Sequence, residues 1–141
     1  MTTKYTLAAE NGLYRLTAAI DIAAHSVTAS DTGGLVAGPH NLDHEGDCWI
    51  ASGAVVVEGA RVTGDALVTD AGFVGGRAVI GSSATVGGSA VVTGDSVVVG
   101  DATVEGATVL RGGAYIDSGI TATGTYDGAP DLLPSSRIYG T

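Results

Sequence analysis

The sequence predicts an all-β chain coiled into a parallel β-helix, and three observations lead there. A small residue and an aliphatic residue recur every six positions from residue 46 to residue 123, without one insertion. Glycine occupies 23 of the 141 positions, against one Trp, one Phe and five Tyr. Hydrophobic residues nevertheless make up 45% of the chain. Glycine inside a helix costs about 1 kcal/mol per residue, which argues against a helical bundle. A disordered Gly-rich linker would lack the apolar content.

The hexads carry the argument. Counted from Gly46, their third place runs Cys48, Ala54, Ala60, Ala66 and on to Ala114 and Ile120. Their fifth place runs Ile50, Val56, Val62, Val68 and on to Ile116 and Ala122. The first place is often Gly, as at Gly46, Gly64, Gly76 and Gly88. In an extended chain, residues two apart share a face, so the small and aliphatic places point inward together. Gly and Asp between them supply turns. Each hexad is then one short strand and one corner. A closed coil is needed to bury the inward face, and stacked coils shield one another's edges.

The pattern resembles the left-handed hexapeptide β-helix, in which a small residue follows an aliphatic one by four places. The resemblance implies a left-handed parallel β-helix with three hexads per coil, a triangular prism. Thirteen hexads then give about four and a third coils, roughly 20 Å tall at the usual strand spacing.

The flanks depart from the hexad. Residues 1–45 alternate loosely, with a turn at Glu10-Asn11-Gly12 that suggests a β-hairpin. Further turns are expected at Asp31-Thr32-Gly33-Gly34 and at Gly38-Pro39. A solenoid end left open would template aggregation, so residues 1–45 are expected to form an N-terminal β cap. Residues 124–141 hold two of the three prolines and lose the repeat, as a C-terminal cap or contact arm would.

The N-terminal segment carries a second resemblance. Leu13-Tyr14-Arg15-Leu16-Thr17-Ala18 is followed by Asp31-Thr32-Gly33-Gly34-Leu35-Val36, then Asn41-Leu42, then His44-Glu45-Gly46-Asp47-Cys48-Trp49-Ile50. The order is similar to a family of small repeat proteins often encoded in bacteriophages and prophages. Its members have a LYRI-like strand, a GDLGG-like turn, an NLS-x-x-GN-x-W entry and G-[ND]-A-x-V hexads. Leu35 stands where an aromatic is usual, and His44 where a small polar residue is usual. The resemblance spans nearly the whole chain and implies phage association without catalytic residues.

With three hexads per coil, residues 18 apart stack on one face. The first face then presents Val55, Phe73, Val91 and Val109 outward. The second presents Arg61, Val79, Val97 and Tyr115, with Val99 beside them. The third presents Trp49, Leu67, Thr85, Thr103 and Thr121, and the cap is expected to cover Trp49 and Leu67. Continuous apolar patches mark interfaces. Hexapeptide β-helices are commonly trimers, so the first two ladders are the expected contacts of a homotrimer.

Other functions fit less well. Hexapeptide acyltransferases need a general-base His near the subunit cleft, and none lies between residues 46 and 123. His40, His44 and Cys48 have a metal-like spacing of four. That spacing converges only on a helix, which Gly38-Pro39 and Gly46 oppose. An ordinary cap loop is expected instead, with no metal and no cofactor. The threonine rows of the third face are too broken for ice binding. Glycan binding along a face stays open, although few aromatics point outward.

The net charge of −9, with six basic residues, speaks against nucleic acid and anionic membranes as partners. No apolar run approaches a membrane span, and no signal-peptide pattern is visible. One cysteine allows no internal disulfide. The expectation is a non-enzymatic structural protein of a bacteriophage virion, made in the bacterial host cytoplasm. Capsid decoration, a head fibre base or a tail-associated part would suit it, with other virion proteins such as the capsid as partners. The alternatives are a prophage-encoded intracellular scaffold or glycan-binding module, and third an acyltransferase-like enzyme.

Overall fold

A computed structural model describes residues 4–117, 121–122 and 125–127. The chain begins with a hairpin, β1 (Tyr5–Glu10) and β2 (Leu13–Ala18). Asn11 and Gly12 both have positive φ, 53° and 86°, the two-residue turn whose twist suits a hairpin. β3 (Thr32–Val36) pairs antiparallel with β2. Short strands then begin every six residues. They are β4 (Trp49–Ile50), β5 (Val55–Val56), β6 (Arg61–Val62), β7 (Leu67–Val68), β8 (Phe73–Val74) and β9 (Val79–Ile80). β10 (Thr85–Val86), β11 (Val91–Val92), β12 (Val97–Val98), β13 (Thr103–Val104), β14 (Val109–Arg111), β15 (Tyr115–Ile116) and β16 (Thr121–Ala122) continue the series. β17 (Thr125–Asp127) is the last strand among the described residues. No α-helix occurs among the described residues.

Every third strand stacks in parallel. Val55 pairs with Phe73, and Val91 with Phe73 and Val109. Three sheets result. One has eight strands in the order β1-β2-β3-β5-β8-β11-β14-β17, one has five (β16-β13-β10-β7-β4) and one has four (β15-β12-β9-β6). The protein is therefore a parallel β-helix of about five turns. The fifth-place column forms its interior. Val56, Val62, Val68, Val74, Ile80 and Val86 are all fully buried, with Ala60, Ala66, Ala78 and Ala84 between them. Ser96 and Thr108 take the small place in two later hexads. Their hydroxyls donate to the carbonyls of Thr93 and Glu105, three residues back, so neither is left unpaired.

The turns exceed the four and a third expected from thirteen hexads because the first coil lies earlier in the chain. Val36 pairs with Val56, Leu42 bridges to Val62, and Ile50 pairs with Val68. Its inward residues are Val36, Leu42 and Ile50, separated by six and then eight residues, so the corner at 43–47 is two residues longer than a hexad allows. Pro39 brings no N–H to this coil, and buried Asn41 supplies substitute bonds. Its Nδ2 donates to the Ala60 carbonyl at 2.7 Å, and its Oδ1 accepts from the Ala37 and Gly38 amides. β3 thus belongs both to the N-terminal sheet and to the first coil. At the other end, β17 stacks on β14 with Val109 opposite Thr125, which carries the coil into the tail. The rest of 124–141 lies outside the described residues.

The corners hold left-handed backbone at the first hexad place. Glycine fills most of them, and Glu58, Asp70 and Ser82 take positive φ as well (58°, 56° and 53°). The Glu58 and Asp70 carboxylates accept from the Gly76 and Gly88 amides one coil on, at 2.6 and 3.0 Å. These charge-assisted bonds offset the roughly 1–2 kcal/mol cost of that backbone.

Candidate functional site

Three surfaces carry chemistry: the outward ladders, the capped end and a cleft between cap and coil. The ladders are set by strand geometry, since the residue before each inward aliphatic must point out. On the first face Val55, Phe73, Val91 and Val109 stack in register, and Leu35 of β3 extends the ladder above Val55. Phe73 is the most open of them at 36% exposure, while Val55, Val91 and Val109 are half-buried by their neighbours. On the second face Val79, Val97 and Tyr115 stack in register, and Val99 follows at the next corner. Arg61 tops that ladder and is turned to Asp43 at 3.0 Å. The sequence-derived ladders are therefore brought together on two adjacent faces. Below Arg61 the stacked residues carry no charge, although Arg111 is exposed in β14 and the Tyr115 hydroxyl donates to Asp117 at 3.1 Å.

The capped end was not readable from the sequence. Lys4 is 1% exposed, and its ammonium sits over the open end of the first coil. It donates to the carbonyls of Cys48 (2.8 Å) and Gly46 (3.3 Å) and lies 3.2 Å from the Cys48 Sγ. These carbonyls have no coil above them to supply amides, and the lysine takes that part. Tyr5 stacks on His44 with ring centroids 4.0 Å apart. Its hydroxyl donates to the Leu42 carbonyl and lies 3.1 Å from that of Pro39. Burial, with smaller contributions from Cys48 and Asp43, pushes the Tyr5 phenol up to about 12. Burial likewise pushes the Cys48 thiol up, and the nearby Lys4 only partly opposes it.

The three residues spaced by four go separate ways. His40 donates from Nε2 to the Glu58 carbonyl. His44 accepts the Lys4 amide at Nδ1. Cys48 points inward, fully buried. Among the described residues no group of three or more His, Cys, Asp or Glu side chains is placed to hold a metal ion.

The cleft lies where the loop after β2 folds over the third face. A short 3-10 turn (Ala23–His25) leads into a bridge between Ile22 and Val27. His25 donates from Nε2 to the Asp65 carbonyl at 2.9 Å and pins this loop to the coil. Trp49 is 2% exposed beneath it, so the N-terminal segment covers the tryptophan, while Leu67 is half-buried and lines the cleft. The chain matches no protein-family model and no curated protein sequence.

Proposed function

We propose that the protein is a non-enzymatic structural component of a bacteriophage particle, assembling as a homotrimer through its first and second faces. The observation that carries this reading is the pair of apolar ladders, uncharged over several coils, with Phe73 open to solvent at the centre of the first. A patch of that kind on a rigid solenoid suits a self-complementary contact. The order of strings from Leu13 to Ile50, similar to phage-encoded repeat proteins, supports the particle. So does the acidic surface, which suits solubility and avoids packaged DNA. The coils from residue 46 to 123 carry no histidine, and ion pairs such as Arg77 with Asp95 are solvent-exposed, so the faces supply binding surface rather than acid–base groups.

Mass spectrometry of purified particles of the encoding phage tests the reading. The protein is expected at a fixed copy number divisible by three, and that number separates a capsid position from a tail position. Clean absence from particles would leave an intracellular scaffold in its place.

A further inference from the structure

We propose that the cleft between the N-terminal loop and the third face holds one residue of a neutral sugar. The cleft has a volume of about 310 Å³, at the small end of the range of roughly 300–1,000 Å³ usual for ligand sites. That is room for a single pyranose. Val27, Ala51 and Leu67 make part of its lining apolar. Trp49 also lines it, and being almost fully buried it forms the base and not a stacking platform. Thr32, Ser52 and Thr69 bring hydroxyls to the same cleft, and no other described residue engages them. Asp31 adds a carboxylate, held in place by the Thr28 amide at its Oδ2.

A pyranose has the matching chemistry. Its C–H face is apolar, and its hydroxyls both donate to a carboxylate and exchange hydrogen bonds with other hydroxyls. No Lys or Arg lines the cleft. His25 does, with its Nε2 engaged by the Asp65 carbonyl, and the Asp31 carboxylate faces the same space in a chain of net charge −9. Sugar phosphates and acidic sugars are therefore disfavoured, and neutral ones selected. The cleft is separate from the first and second faces, so occupancy does not depend on the proposed trimer.

Trp49 is the single tryptophan of the chain, so emission excited selectively at tryptophan, apart from the five tyrosines, reports this place alone. The full-length protein is titrated with glucose, galactose, mannose and N-acetylglucosamine, and with N-acetylneuraminic acid and glucose 6-phosphate as charged controls. At least one neutral sugar should give a saturable change with a Kd on the order of millimolar, and charged sugars should bind at least about tenfold more weakly. The response should vanish in Thr69→Phe, which fills the cleft from an outward coil position. Ser52→Tyr serves the same purpose if that variant fails to fold. No saturable response to any neutral sugar overturns the proposal. So does a response that survives the filling variants, or an equal response to the charged sugars.

Discussion

At Gly76 φ is +65°, and a Cβ there would lie 2.6 Å from the Gly94 amide nitrogen one coil on. At Gly12, in the hairpin turn, φ is +86° and nothing lies within 4 Å. Alanine at either position meets the left-handed backbone cost of about 1–2 kcal/mol. Only at Gly76 must the next coil also move, which adds on the order of 1–3 kcal/mol. Thermal melts should therefore show Gly76→Ala falling well below Gly12→Ala, and equal midpoints would contradict the corner packing. The interior is still less tolerant. Val86 is fully buried in the middle of the aliphatic column, and a carboxylate there has no partner and costs several kcal/mol. Val86→Asp should abolish the folding transition seen by circular dichroism, whereas an unchanged melt would contradict the inward register.

Among the elements, the capped end should respond to alkaline pH. The Tyr5 phenol sits at about 12, against 10.0 for the ordinary group, and the Cys48 thiol is also pushed up. Both are folded-state pKa values raised above the unfolded ones. Their contribution is complete below the unfolded values and is lost as pH rises toward the folded ones. Stability should hold steady up to about pH 9 and fall from there to about pH 12. Tyr5→Phe should lower stability near neutral pH by about 1 kcal/mol through its lost hydrogen bond and flatten that alkaline slope. Melts of both proteins across this range check it, and parallel slopes would contradict it. The coils from β4 onward were legible in the sequence because each inward place repeats at six. The first coil was not, because Val36, Leu42 and Ile50 stand six and then eight apart. There Asn41, a polar residue, does the ladder's work beside Pro39. The Lys4 plug left no pattern either, since one lysine near a chain end reads as a solvated charge. The ladder residues were legible from the stacking period of 18, although their partial burial by neighbours depends on side-chain packing that spacing alone does not give.

For the whole molecule, the fold combines rigidity with two faces that each carry a largely apolar ladder. The eight-stranded sheet joins the hairpin to the coils, so the first face runs without a break from β1 to β17, roughly 34 Å at the usual strand spacing. A solenoid of this kind contributes shape and contact area, and its assembly is the property on which the particle role depends. Sedimentation equilibrium of the purified protein measures that assembly directly. The expected mass is three times that of the 13.8 kDa chain, and Phe73→Asp combined with Val91→Asp should shift it to the monomer while leaving the circular dichroism melt intact. A wild-type protein that remains monomeric at micromolar concentration, or a trimer untouched by both substitutions, would contradict the interface and the role built on it.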